Sequence, residues 1–191
     1  MFFLLKYKLH PEPSSFNFFF SYGMAVDIIK ICSKKDFLYF LCKLKEDYYT
    51  DYENWQNENV EFYLEAIIAW LQVCERLDAD DMKYVFSNMR LSDWNTALNI
   101  VLLSVGMPND LLTPLPQSSI DDCNPKVFSS ALQIRLDQLY DMNISLPRKV
   151  DNLLDNFTAL LKSNEKINFS EVNPCVWMFL ALILEVGKYY E

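Results

Sequence analysis

Carboxylates are the side chains in this chain best placed to do chemistry, because their usual partners in catalysis are nearly missing. The one histidine, His10, sits beside Pro11 near the start. A Ser, Cys or Thr nucleophile elsewhere therefore has no imidazole to take its proton. Three glycines, none clustered, exclude a loop that could cradle a phosphate. What is left is Asp78, Asp80 and Asp81, a second group at Asp121 and Asp122, and Glu61 with Glu65 one helical turn further on. Either aspartate group could recruit a hard divalent cation, and the glutamate pair could share a proton for acid-base work. Each also has a simpler reading. Aspartates at a helix start satisfy orphan N–H groups and complement the dipole, and glutamates on the polar side of an amphipathic helix are solvated. The expectation is no catalytic residue, no metal and no cofactor, with a carboxylate-metal enzyme as the less favoured alternative.

A second grouping points to recognition instead of reaction. Tyr48, Tyr49, Tyr52 and Trp55 crowd a stretch that also holds Glu46, Asp47, Asp51 and Glu53. Aromatic anchors among like charges suit a surface that receives a basic protein. The competing expectation is that the stretch folds down over the helices and buries Trp55.

Charge and cysteine usage narrow the partners. Seventeen Lys plus Arg against 26 Asp plus Glu leave a formal charge of -9, which repels nucleic-acid backbones and anionic lipid headgroups. Neither nucleic acid nor a membrane is expected, and a basic protein is. The five cysteines, Cys32, Cys42, Cys74, Cys123 and Cys175, are odd in number, contain no CxxC pair and stand mostly in apolar runs. They read as buried, reduced thiols in a cytoplasmic protein.

These residues must be carried by helices. Hydrophobic residues make up 51% of the chain, enough for a continuous core, and the scarcity of glycine denies a many-stranded sandwich its turns. Ser33 and Asp36 cap a helix over about 34–48, with Phe37, Phe40, Leu41 and Leu44 inward. Residues 48–59 read as a loop or single turn anchored by Trp55. Asn59 starts the clearest helix, with Val60, Tyr63, Leu64, Ile67, Ile68, Leu71, Cys74 and Leu77 on one stripe. Asp78 and Asp81 open a third helix; Ser92 opens a fourth, which stops at Gly106. Asn124-Pro125 starts a helix to about Tyr140. Pro147 opens the next, and Asn173-Pro174 a last one over 175–190 that is apolar on nearly every face. Trp94 to Gly106 and Trp177 to Gly187 form a faint internal echo.

The expected fold is thus all-α, a compact bundle of about seven helices in two packed halves. Residues 1–23 form a doubtful extension, since Met24 reads as an alternative start and the apolar stretches before it suit neither a signal peptide nor a membrane span. Residues 24–110 make the first helical unit. Residues 107–124 carry three prolines and no period; 111–124 form a linker, and 125–191 make the second half.

Phe37, Phe40 and Leu44, then Trp55 and Asn57, then Tyr63, Leu64, Glu65, Ala66, Ala69 and Trp70 form a pattern that resembles a small bacterial domain family of unknown function with a W-x-N…YLEA…AW motif. The family's closing tryptophan, apolar helix and Tyr-Glu end resemble Trp177 to Gly187 followed by Tyr190 and Glu191, and, less well, Trp94 to Gly106. The motif carries no chemistry. Similar proteins are small, acidic and cytoplasmic, and some look like immunity proteins that accompany bacterial toxins. This resemblance implies a non-enzymatic binding module that neutralises a basic, toxin-like protein. Candidate contacts are Tyr48, Tyr49, Asp51, Tyr52, Glu53, Trp55, Glu61 and Glu65. The alternative is a structural or scaffold homo-oligomer.

Overall fold

The apolar spacing becomes seven α-helices in the computed structural model, which describes residues 30–74, 80–115, 124–163 and 167–188. They are α1 (Lys34–Thr50), α2 (Val60–Val73), α3 (Asp80–Ser87), α4 (Leu91–Ser104), α5 (Pro125–Asp141), α6 (Val150–Ser163) and α7 (Pro174–Val186). Among the described residues there are three short 3-10 turns and no strand beyond one isolated bridge pair, Asn59 with Lys149. The fold is an all-α bundle.

The start signals act largely through side-chain oxygens. Ser33 Oγ accepts from the Asp36 N–H at 3.2 Å, Asn59 Oδ1 from Glu61 at 2.8 Å, Asn124 Oδ1 from Val127 at 3.0 Å, and Asn173 Oδ1 from Cys175 at 2.9 Å. Each satisfies a donor that the first helical turn leaves without a partner.

Two starts differ from expectation. Arg90, not Ser92, caps α4: its backbone N–H donates to Asp93 Oδ2 at 2.8 Å, so the side chain in the first turn reaches back to the cap. The sixth helix opens at Val150 and not at Pro147, because residues 148–150 first pair with the strand-like entry to α2. There the Val60 N–H donates to the Arg148 carbonyl and the Val150 N–H to the Glu58 carbonyl. The first helix runs on through Tyr48 and Tyr49 to Thr50, and the last ends at Val186 instead of 190. Asp78, Asp121, Asp122 and residues 1–23 lie outside the described residues, as does residue 77.

The last helix is the axis of the core. Every residue from Cys175 to Leu184 is buried, and α1, α2, α3 and α4 all pack against it. In turn α5 lies against α2 and α4, and α6 against α1 and α4. Helices from both sides of the 111–124 stretch thus share one apolar cluster. An aromatic knot shows how: Phe179 of α7 meets Trp94 of α4 at 5.0 Å and Phe128 of α5 at 4.9 Å, both edge to face. That geometry adds about 1 kcal/mol per pair to the area buried.

The tryptophan–glycine echo does not survive as a structural repeat. Gly106 has φ +98 and stops α4 in the left-handed region. Gly187 is helical, with φ -56, and is demanded by space: a Cβ there would lie 2.8 Å from the Tyr63 ring.

Candidate functional site

Two of the four aromatic residues in the stretch 48–55, Tyr48 and Trp55, are inside, as the packing alternative had it. Tyr48 and Trp55 are each 4% exposed and meet edge to face at 5.0 Å, while Trp55 stacks on Tyr63 at 6.2 Å. The rings therefore fill the space between the ends of α1 and α7, and neither can serve as an anchor for a partner. Tyr49 is 61% exposed; Asp51, Glu53, Glu61 and Glu65 are exposed too. The Tyr52 side chain falls outside what is described.

What the buried rings cover is ionic. Lys188, just beyond the α7 terminus, is 1% exposed. Its Nζ lies 2.7 Å from Asp47 Oδ2 and 3.0 Å from Glu185 Oε1, and 5.2 Å from the centre of the Trp55 ring. The Trp55 indole N–H donates to the same Asp47 oxygen at 3.1 Å. Burial holds the Glu185 carboxyl above its ordinary pKa, against the pull of the Lys188 ammonium. The W-x-N motif closes this assembly through its backbone neighbours: Asn57 Nδ2 donates to the Gly187 carbonyl at 2.9 Å, and the Gln56 N–H to the Lys188 carbonyl at 3.0 Å. The Tyr63 hydroxyl donates to the Leu184 carbonyl. Sequence reasoning missed Lys188 altogether. The signal available was a lone lysine after thirteen almost wholly apolar residues, at the helix end where a cation complements the dipole.

The acidic surface has two parts. At the end of α1 the carboxylates are mostly engaged. Asp155 holds Lys45 at 2.5 Å, Glu46 holds Lys43 at 2.6 Å, and Asp151 accepts from the Tyr49 hydroxyl at 3.1 Å. Asp51 accepts from Asn54 at 2.5 Å.

On the outer side of α2 the pattern is different. Glu61 and Glu65 stand one turn apart with Phe62, which is 57% exposed, beside them. Tyr140 at the end of α5 has its pKa pushed up to about 12, by burial first and then by the nearby Glu61 charge. Burial and the neighbouring Glu61 also raise the pKa of Glu65. Among the described residues no lysine or arginine forms an ion pair with either glutamate.

Other candidate chemistry is thin. Among the described residues no three His, Cys, Asp or Glu side chains gather in a way that could hold a metal ion. An open polar hollow of about 570 Å³ lies between the starts of α4 and α7, lined in part by Tyr84, Arg90, Asp93 and Glu171. Its Asp93 is occupied in capping, since Oδ2 also accepts from Asn173 Nδ2 at 3.0 Å. Cys74 and Cys175 are buried as expected, whereas Cys32 and Cys42 are exposed; Cys123 is outside the described residues. No helix among the described residues is long and apolar enough to cross a membrane.

The fold and this surface define a class: an all-helical bundle built round a buried terminal helix, with one ionic knot inside and carboxylates facing out. Comparison with known proteins adds a partial match. The profile of a family of unknown function (DUF7660) matches residues 33–102, the segment from the Ser33 cap to Leu102 near the end of α4. It takes in the W-x-N…YLEA…AW pattern. No curated protein and no solved structure matches the chain.

Proposed function

We propose that this chain is a non-enzymatic, cytoplasmic protein-binding module of the immunity type, whose acidic exterior takes up and neutralises a basic, toxin-like protein. The observation that carries this reading is the pair Glu61 and Glu65, with no ion pair among the described residues, set beside exposed Phe62 on a helix whose opposite face is fixed in the core. Carboxylates on a rigid support lose little entropy on pairing, and a field of one sign speeds encounter with a cationic partner. Tyr49, Asp51 and Glu53 stand on the other acidic part, at the end of α1. The net charge of -9 disfavours nucleic acid and anionic membranes as competitors.

The test is co-expression with the product of the adjoining gene. The expected result is toxicity from that product alone, relief when this chain is present, and a complex that loosens strongly between about 0.01 and 1 M salt, where the screening length falls from about 30 to about 3 Å. A harmless neighbour, or a complex indifferent to salt, would count against the reading.

A scaffold homo-oligomer keeps one specific observation in its favour. Ile134 and Met142 in the second half are about half exposed, and light scattering that gives a strict monomer would remove it.

A further inference from the structure

We infer that Cys32 and Cys175 form a reversible oxidation site, in which a hydroperoxide reacts at exposed Cys32 and Cys175 then closes a disulfide that ties the entry of α1 to the first turn of α7. Such a site stands apart from the acidic surface proposed above for a partner.

Helix register brings the two thiols together. The Phe37 and Trp177 rings, each on the fourth residue of its helix, meet at 5.6 Å between centres. At the far end, Lys188 just past α7 reaches Asp47 near the close of α1 at 2.7 Å. The two helices therefore run parallel and nearly level, and their starts lie side by side. Cys32 stands two residues before α1, and Cys175 is the second residue of α7. The chain on both sides of Cys32 is held against the bundle. Ile31 is buried in the shared core, and Lys34 Nζ sits 5.1 Å over the Phe169 ring, which meets Trp177 at 5.9 Å. Burial first, then the charges of Asp93 and Cys32, raise the Cys175 thiol above its ordinary pKa. Cys32 is thus within electrostatic reach of Cys175.

Exposure divides the roles. Cys32 is exposed, whereas Cys175 is buried at the edge of the polar hollow between the starts of α4 and α7. Thiolates are the nucleophiles in this chemistry, and burial keeps Cys175 protonated, so Cys32 meets the oxidant. Its sulfur attacks one oxygen of hydrogen peroxide. An S–O bond forms, the O–O bond breaks, and the other oxygen leaves as water, which makes Cys32 a sulfenic acid. The Cys175 sulfur then attacks the Cys32 sulfur. The S–S bond forms, the S–O bond breaks, and the hydroxyl departs as water with the Cys175 proton. Two thiols have lost two electrons and two protons, and one peroxide has become two waters. Two molecules of a small reducing thiol reverse the bridge by exchange and are themselves joined.

Cys42 is exposed too, but it lies about 10 Å further along α1 than the level of Cys175. Bridged Cα atoms stand only about 4.4–6.8 Å apart. A bridge from Cys32 to Cys175 would enclose α1 to α6 and remove that loop's freedom from the unfolded chain.

The experiment treats the full, reduced chain with a few equivalents of hydrogen peroxide, followed by a non-reducing peptide map and a thermal melt. The expected result is a linked peptide containing Cys32 and Cys175 and a Tm raised by about 5–10 °C, both reversed by dithiothreitol. Cys42→Ser should behave in the same way. Cys32→Ser, a change at an exposed position, should lose the linked peptide and the rise in Tm. Cys175→Ala should stop at the sulfenic acid, which dimedone traps on Cys32 several-fold more than in the unsubstituted chain. Linkage of Cys32 to any other cysteine, in the same chain or a second one, overturns the proposal. So does a Cys32 that dimedone traps equally with and without Cys175, and so does a chain whose peptide map peroxide leaves unchanged.

Discussion

The end of α7 and the outer face of α2 each hold a pair of carboxylates, yet the protein treats them oppositely. Asp47 and Glu185 are brought inward and share the Lys188 ammonium beneath the Trp55 ring. Glu61 and Glu65 are left outside with no described cation. The first arrangement makes its own ion pairs and so serves the fold. The second carries a like-charge repulsion, offset in part because Glu61 lies in the first turn of α2 and complements the helix dipole. Burial costs several kcal/mol per ion unless geometry returns it, whereas an exposed like-charge pair at this spacing costs only about 0.2–0.5 kcal/mol. An inward pair without its counter-ion would threaten the native state; an outward one is tolerable.

The contrast can be broken hardest at Lys188. Lys188→Ala leaves two carboxylates facing one another in a space that nearly excludes water, and an expected loss of about 3 kcal/mol lowers Tm by roughly 6–12 °C. The deficit should shrink in acid as the Glu185 carboxyl, whose pKa burial raises, takes up its proton; a calorimetric Tm unchanged at neutral pH would mean that the knot contributes nothing net.

Gly187→Ala comes next. Removing a helical glycine ordinarily gains up to about 1 kcal/mol, but here the new Cβ would fall 2.8 Å from a fully buried Tyr63 ring. Overpacking costs about 1–3 kcal/mol, so urea melts should show a net loss; a gain would mean that the ring can move aside. Tyr63→Phe removes the hydroxyl that donates to Leu184, for an expected loss of about 1 kcal/mol measured in the same melts.

The smallest effect has the opposite sign and belongs to the outer face. Glu65→Gln should stabilise by about 0.3 kcal/mol at neutral pH. The Glu65 pKa is raised in the folded chain, so the folded state holds that proton more tightly than the unfolded one. The penalty of its charge is therefore full at neutral pH and fades as pH falls through the raised value towards the ordinary carboxylate range. The Tm advantage of the variant should vanish by about pH 4. An advantage that persists in acid would point to packing instead of charge.

The seven helices were legible because their apolar residues recur at three- and four-residue intervals and because Ser33, Asn59, Asn124 and Asn173 announce the starts. Non-local contacts were not legible. Nothing near Pro147 shows that residues 148–150 will pair with the entry to α2, and only that pairing delays α6 to Val150. The composition of residues 48–55 suited a surface or a lid equally well, and the choice was made by Lys188, some 130 residues away. Ser92 looked like a cap because Ser often is one; Asp93 overrode it by reaching back to Arg90. For the outer face, the Glu61–Glu65 spacing could be read directly, whereas Tyr140 beside it depends on how α5 docks.

The crossing from Trp55 to Val60 has a further consequence. Within six residues it is bonded to Gly187 and Lys188 on one side and to Arg148 and Val150 on the other. The stretch matched by the family profile, residues 33–102, therefore completes its packing around Trp55 and Asn57 only with atoms from beyond it. Cut free after Ser104, it would present the indole of Trp55 and the carboxylate of Asp47 to water and lose the helix that fills its middle. A fragment that keeps this packing must reach at least to Lys188.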